Sequence, residues 1–316
     1  MGAIKFTKAT RKQAKASVMI EGLQGRGKSG LALSMAYVLA GKNWDDIYAV
    51  DAENKSLSLF VNNPLSVDKN KVGPFNVLEL SNETGYKPSV YAAARDCAVE
   101  NHGKVIINDS ATHMWQQKGG VLDMVNEVKK TCRDKYAVWG EPQIVAEKQC
   151  IIDLMRSPYI HVINTVRMKE KMVYSTDDSG KTTLDKLGEQ PIMMPDIAYE
   201  PDLVLTMVKA GTADDAPIAK VDKSRYSIFV PGETYVFTQA LLEQFRDYLN
   251  EGVDPEEIFE AQRKEYVGII TELLDGDESL KKLWGPLKTK VGCKNMKLEE
   301  IPLPKLKELL AMISND

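Results

Sequence analysis

Residues 22–30 read GLQGRGKSG, which matches the phosphate-loop pattern Gly-x-x-x-x-Gly-Lys-Ser. The residues before it, ASVMIEG, form a short β-prone run. The residues after it, SGLALSMAYVLAG, repeat apolar side chains at helical spacing, and Gly41 is a plausible helix end. A strand, a glycine loop and a helix in this order predict an α/β fold in which the loop joins the carboxyl end of a strand to a helix.

The glycines let the backbone turn so that several N–H groups point at one anion. The helix that follows adds a partial positive charge at its first turn. We expect Lys28 to reach the β- and γ-phosphates and Ser29 to ligate Mg²⁺. The pattern therefore predicts ATP and Mg²⁺ as ligands. The predicted nucleotide-binding residues are Gly22, Gln24, Gly25, Arg26, Gly27, Lys28, Ser29 and Gly30.

Two further β-prone runs end in carboxylates. The run KVIINDS is typical of a central parallel strand, and Asp109 at its end is expected to hold Mg²⁺ with Ser110 orienting it. In IYAVDAENKS, Asp51 and Glu53 are two residues apart, which predicts the same side of a strand. If that strand lies between the loop strand and the Asp109 strand, Glu53 is near the γ-phosphate. There it would act as general base or orient water.

The segments VDAENKS, VIINDS and INTVRMK resemble, in order and spacing, three segments of the RecA recombinase family. The resemblance covers about residues 16–237 and is closest in texture to phage-encoded RecA-like ATPases of the single-strand annealing and recombination type. It implies a RecA-like P-loop NTPase fold with a mostly parallel central sheet. It also implies that Glu53 is catalytic together with Lys28, and that Asn164 and Thr165 sense the γ-phosphate. The family has glutamine where this chain has the shorter Thr165.

The segment IAKVDKSRYSIF resembles the late Lys-x-Lys strand of that family. This implies that Lys223 and Arg225 reach the nucleotide of a neighbouring subunit in a filament or ring. From the residues alone, they could equally be two solvated cations on an edge strand. The first fifteen residues show no clear counterpart of the family's polymerisation helix, so assembly would need another contact.

Two segments are candidates for binding single-stranded DNA. The polar stretch STDDSGKTTLDKLGEQP predicts a mobile loop at the position of the family's second DNA loop. Its cations are outnumbered by acids: Lys181 and Lys186 against Asp177, Asp178, Asp185 and Glu189. The stretch EVKKTCRDKYAVWGEP interleaves cations with aromatic side chains, which suits single strands. Its candidates are Lys129, Lys130, Arg133, Lys135, Tyr136 and Trp139.

The alternative for that second stretch is a cationic helix end with aromatic side chains in the core. The N-terminal cations form another candidate arm: Lys5, Lys8, Arg11, Lys12 and Lys15. The three histidines, His102, His113 and His161, have no neighbours at metal-ligand spacing and are expected to be structural or surface residues.

The chain has 316 residues and a net charge of −4, so any nucleic-acid contact must be local. Its four cysteines include no CxxC pair, and no run of about 18 apolar residues occurs. We therefore expect a cytoplasmic protein without a membrane span, in the bacterial host if it is phage-encoded. We predict an ATPase domain over 1–252 and a small helical module over 253–316, which has no assigned chemistry and could bind a partner protein.

These features favour a Mg²⁺-dependent ATPase that acts in DNA recombination or single-strand handling as a homo-oligomer. The alternative is a nucleotide-driven motor or switch that acts on proteins, for instance in phage assembly, without binding DNA. A small-molecule kinase would leave Glu53 and the late cationic strand without a role. A partition-type ATPase is disfavoured because Leu23 stands where its extra signature lysine would be.

Overall fold

The computed structural model describes residues 11, 13–65, 71–132, 134, 136–176, 182–212, 215–252 and 255–313. The chain divides into two units. The larger is Lys15–Leu249, and the smaller comprises Met1–Ala14 and Asn250–Asp316.

The larger unit is built on a sheet whose strands follow the order β3-β2-β4-β5-β1-β7-β8-β9, with β6 paired to β5. From β3 to β7 along this order every pairing is parallel, whereas β8 and β9 join antiparallel. The strands are β1 (Ser17–Gly22), β2 (Ile47–Asp51), β3 (Asn76–Glu79), β4 (Val105–Asp109), β5 (His161–Thr176), β6 (Thr182–Pro191), β7 (Leu203–Lys209), β8 (Ile218–Ser224) and β9 (Thr234–Val236). The predicted α/β class with a mostly parallel sheet is confirmed.

Helices cover both faces of this sheet, which explains why β1 and β4 are buried along their whole length. Successive β1 residues point to opposite faces: Val18 and Ile20 belong to one apolar cluster, and Met19 belongs to the other. The helices are α1 (Lys28–Leu39), α2 (Pro88–Glu100), α3 (Thr112–Gln116), α4 (Val121–Lys129), α5 (Pro142–Asp153) and α6 (Gln239–Leu249). Helices α1 and α6 pack on the face of Val18, and α2 and α5 pack on the face of Met19.

One condition set for Glu53 is not met, and one expectation about the sheet is wrong. Strand β2 does not lie between the loop strand β1 and the Asp109 strand β4. Strand β5 lies between those two strands, and β2 is on the far side of β4. The polar stretch predicted as a mobile loop contributes strand β6, which pairs antiparallel with the extended β5. Residues 177–181 at its tip lie outside the described residues.

The smaller unit is helical, with α7 (Pro255–Gly276), α8 (Glu278–Lys290) and α9 (Leu303–Ile313). It has its own apolar core, which consists of Ile270, Val291, Cys293, Ile301, Leu306 and Leu309. The side chain of Asp277 caps α8 by accepting hydrogen bonds from the N–H groups of Ser279 and Leu280. In the part of the chain that the structure describes, no helix is long and apolar enough to cross a bilayer.

Candidate nucleotide site at the carboxyl edge of the sheet

The glycine loop leaves the carboxyl end of β1 and begins α1. Gly25 and Gly27 have φ values of 76° and 84°, which side chains disfavour, so glycine is required by the backbone. Gly27 is the N-cap of α1 and makes no side-chain cap hydrogen bond, so the first N–H groups of the helix face the loop. Arg26 donates from Nη1 to the carbonyl of Val208 at 2.8 Å and thereby ties the loop to β7.

Gly27 packs closely against the residues that follow β7, so substitution at this position should be more harmful than at Gly25. A Cβ at Gly27 would lie 2.9 Å from the Ala210 Cβ, whereas a Cβ at Gly25 would meet nothing within 4 Å. Gly25→Ala carries only the left-handed strain of about 1–2 kcal/mol, and Gly27→Ala adds the clash. We expect Gly27→Ala to weaken ATP binding far more than Gly25→Ala. Titration with a fluorescent ATP analogue measures this, and equal effects would contradict it.

The Mg²⁺ candidates are brought together at this edge. Ser29 Oγ donates to Asp109 Oδ2 at 2.7 Å, and the Thr165 hydroxyl donates to Asp109 Oδ1. Burial raises the pKa of Asp109, and the two hydroxyl hydrogen bonds oppose that rise. Both hydroxyls are neutral and do not balance the negative charge of the buried carboxylate, so a cation beside it would stabilise it.

These residues fit Mg²⁺. A serine hydroxyl and one carboxylate are hard oxygen ligands, and Mg²⁺ is usually held by one or two carboxylates together with substrate phosphates and waters. The described residues contain no group of three or more His, Cys, Asp or Glu able to hold a metal ion. Lys28 Nζ donates to the carbonyls of Gly22 at 3.0 Å and Leu23 at 3.1 Å, within the loop. Burial lowers the pKa of Lys28, while Glu53 and Asp109 raise it.

Glu53 reaches this edge through the loop after β2 and does not share a strand face with Asp51. Strand β2 ends at Asp51, whose carboxylate accepts hydrogen bonds from the N–H groups of Glu53 and Leu57, each at 2.8 Å. The N–H of Ala52 donates to the carbonyl of Asp109 at 2.7 Å, so the residues just after β2 still run alongside the end of β4. The Asp51 carboxylate therefore fixes the backbone of the loop after β2, and the Glu53 side chain extends from that loop.

Arg167 is the functional candidate that sequence reasoning missed. It lies on β5 opposite Gly22 of β1, and its Nε donates to Glu53 Oε1 at 2.8 Å. Burial alone would raise the pKa of Glu53, yet the hydrogen bond and charge of Arg167, with smaller effects of neighbouring groups, outweigh burial and hold that pKa below its usual range. The segment INTVRMK contains this arginine, but its pairing with a residue 114 positions away carries no local signal.

His113 lies close to the same pair. Its Nδ1 is 2.9 Å from Ser110 Oγ, and its ring packs against Tyr86 with centroids 5.0 Å apart. Burial, and then the charge of Arg167, lower the pKa of His113 to about 4. The imidazole is therefore neutral at physiological pH and leaves Arg167 and Lys28 as the cations near Glu53.

A cavity of about 340 Å³ opens beside the glycine loop. Clefts of roughly 300–1,000 Å³ with mostly apolar walls suit small ligands. Its walls are Gly27, Gly30, Phe60, Pro64, Leu65, Gly211 and Thr212. Phe60 contributes an aromatic wall to this cavity next to the glycine loop.

The two expected γ-phosphate sensors, Thr165 and Asn164, face opposite sides of the sheet. Thr165 is on the face of Asp109 and Ser29, and its hydroxyl is directed to Asp109. Asn164 is fully buried, and its Oδ1 accepts from Asn108 Nδ2 at 2.8 Å. Because side chains alternate along β5, Asn164 faces the other side of the sheet.

Lys223 and Arg225 lie at the sheet edge opposite the glycine loop, since Ser224 is in register with Leu203 and Leu203 with Val18. Lys223 Nζ donates to the carbonyls of Ala198, Tyr199 and Pro201 at 2.9, 2.5 and 2.7 Å. Arg225 pairs with Asp202 at 2.6 Å. Both cations therefore have contacts within their own chain.

The candidate DNA residues are only partly presented to solvent. Tyr136 is 89% exposed, and Lys130 pairs with Glu127 at 2.6 Å. Trp139 stacks on Trp115 with centroids 6.3 Å apart and is half-buried. Arg133, Lys135, Lys5, Lys8 and Lys12 lie outside the described residues, as do the side chains of Lys181 and Lys186.

Of the remaining predicted cations, Arg11 pairs with Glu251 at 2.8 Å, and Lys15 is exposed.

Compared with known proteins, the chain matches no protein-family model and no curated protein.

Proposed function

We propose that this protein is a Mg²⁺-dependent ATPase that acts on single-stranded DNA, of the RecA-like type. The observation that carries the proposal is the convergence at one sheet edge of Lys28, the Ser29–Asp109 pair and Glu53. These groups come from three different strand ends, and each matches a separate requirement of triphosphate hydrolysis.

The roles follow from chemistry. The N–H groups at the start of α1 and the Lys28 ammonium bind the phosphates, and Ser29 with Asp109 holds the metal. When bound, Mg²⁺ neutralises part of the negative charge on the phosphate oxygens. Glu53 accepts a proton from the attacking water or orients it, and its low pKa keeps it ionised for that task. Thr165 fixes Asp109.

The DNA part of the proposal is supported by the resemblance and by the exposed Tyr136, which follows Lys129 and Lys130 by a few residues in the chain. Base stacking on an exposed ring and phosphate contacts from lysines are how proteins hold single strands without sequence preference. Trp139 is not offered as a stacking surface because it packs on Trp115.

Assembly into a filament or ring is also part of the proposal. Lys223 and Arg225 lie at the edge opposite the loop, which is where a head-to-tail neighbour would meet them. In such an assembly, one copy's late cations would approach the phosphates held by the next. Their present partners are carbonyls and one carboxylate, which phosphate oxygens can replace.

The deciding experiment measures phosphate release from ATP with and without Mg²⁺, and then with single-stranded DNA added. We expect Mg²⁺-dependent turnover that DNA increases, and no turnover from Lys28→Ala. Turnover unaffected by DNA, together with no DNA binding at low salt, would favour a motor or switch for protein partners. Absence of turnover under every condition would exclude the ATPase.

A further inference from the structure

The helical unit carries a local concentration of positive charge in a chain whose net charge is −4. Between residues 281 and 297 there is no Asp or Glu, and the lysines there are Lys281, Lys282, Lys288, Lys290, Lys294 and Lys297. The acids of this region stand outside that stretch, with Asp277 and Glu278 before it and Glu299 and Glu300 after it. The stretch is therefore strongly cationic although the chain as a whole is acidic.

The fold turns this segment into an open groove of about 850 Å³. Its walls are Trp284, Gly285, Pro286, Lys288, Thr289, Lys290, Lys294 and Asn295. Val291 and Cys293 are buried in the core of the unit and fix the turn after α8. Lys290 and Lys294, on either side of them, are consequently held at the surface.

The cations of the groove are not neutralised. Lys290 and Lys294 are exposed and make no ion pair with any carboxylate in the described part of the chain. Lys288 Nζ donates to the carbonyl of Met296 at 3.0 Å and lies 6.0 Å from the centre of the Trp284 ring. The half-buried indole packs partly against the apolar core of the unit, and the rest of its surface lines the groove.

Stabilisation of the helix does not account for the whole arrangement. Cations in the last turn of α8 oppose the negative end of its dipole, which explains Lys288 and Lys290. It does not explain Lys294, which lies beyond the helix, or the part of the Trp284 ring that lines the groove instead of packing on the core. Unpaired lysines around an aromatic ring match the backbone and the exposed bases of a single-stranded nucleic acid.

We propose that this Trp284 groove binds single-stranded nucleic acid, with Lys290 and Lys294 on phosphates and a base stacked on the indole. A duplex offers no free base faces to the ring, and an acidic peptide offers charge without a base. The groove lies wholly within the helical unit, so binding here needs neither ATP nor the residues of the sheet edge.

The test uses the full-length protein without nucleotide and a fluorescent oligothymidylate of about 16 nucleotides. Anisotropy titrations give Kd at several salt concentrations. Lys290→Ala/Lys294→Ala should weaken binding at least tenfold, and should reduce the slope of log Kd against log salt by about 0.7 for each phosphate that the protein no longer binds. Lys264→Ala/Lys305→Ala removes the same charge from α7 and α9 and should change little.

Trp284→Leu should weaken binding by roughly five- to tenfold and leave the salt slope unchanged, because it removes stacking only. Thermal unfolding checks that each variant folds. The proposal fails if the control pair weakens binding as much as Lys290→Ala/Lys294→Ala. It also fails if a duplex binds as tightly as the single strand and Trp284→Leu has no effect.

This outcome is separable from the proposed ATPase activity. Lys28→Ala should abolish ATP turnover and leave nucleotide-free binding to the oligothymidylate unchanged. If the wild-type protein hydrolyses no ATP and yet substitution of the lysine pair lowers its affinity, the ATPase proposal falls and the Trp284 groove stands.

Discussion

Glu53→Gln is expected to lower the rate of ATP hydrolysis by about 10²–10⁴-fold, the usual contribution of a positioned general base, while ATP binding persists. Glutamine keeps the shape of the side chain and can still contact Arg167, but it cannot accept a proton from water. Under the proposed roles, the N–H groups of α1 and Lys28 hold the phosphates, so ATP binding should persist. Single-turnover hydrolysis and equilibrium titration of ATP measure the two quantities separately.

The matched control is Glu79→Gln, which removes a nearby carboxylate on β3. Glu79 pairs with Lys55 at 2.9 Å and is not among the groups that shift the pKa of Lys28. We expect the control to hydrolyse ATP normally. Full turnover by Glu53→Gln would remove Glu53 from the mechanism, and loss of ATP binding would show that its role is structural.

The parts of the site that follow one another in the chain could be predicted from the sequence. The β1 strand, the glycine loop and α1 are coded by local patterns, and the buried run before Asp109 marks a central strand. Strand order is set by long-range packing, and the sequence between β2 and β5 contains no local signal for it. Glu53 nevertheless reaches the site, because the loop after Asp51 follows β4.

Strand β6 shows why a polar stretch can be misinterpreted. A period of two appears in a sequence when one face of a strand is buried and the other is solvated. Strand β5 is buried at its start but exposed from Lys169 to Met172, where β6 pairs with it. Where the side chains of β5 are exposed from Lys169 to Met172, no alternation of buried and exposed residues marks a strand, and the polar sequence resembles a loop.

Arg167→Gln is expected to move the acidic limb of the pH–rate profile to higher pH. In the wild type Arg167 holds the pKa of Glu53 below its usual range, so the Glu53 carboxylate stays ionised well into the acid range. Without the guanidinium, burial dominates and raises the pKa of Glu53. Below that pKa, the rate falls about tenfold per pH unit, because only the carboxylate can act. Steady-state hydrolysis between about pH 5 and 9 measures the shift.

The matched control is Lys169→Gln, which removes a positive charge two residues further along β5, where the side chain is exposed. Lys169 is not among the groups that shift the pKa of Glu53, so its profile should match the wild type. Above the raised pKa, Arg167→Gln frees the Glu53 carboxylate from its 2.8 Å partner, and the DNA-free rate should then equal or exceed that of the wild type. An unchanged acidic limb would show that the pair does not control the ionisation of Glu53. A rate that falls equally at every pH would instead place Arg167 on the phosphates.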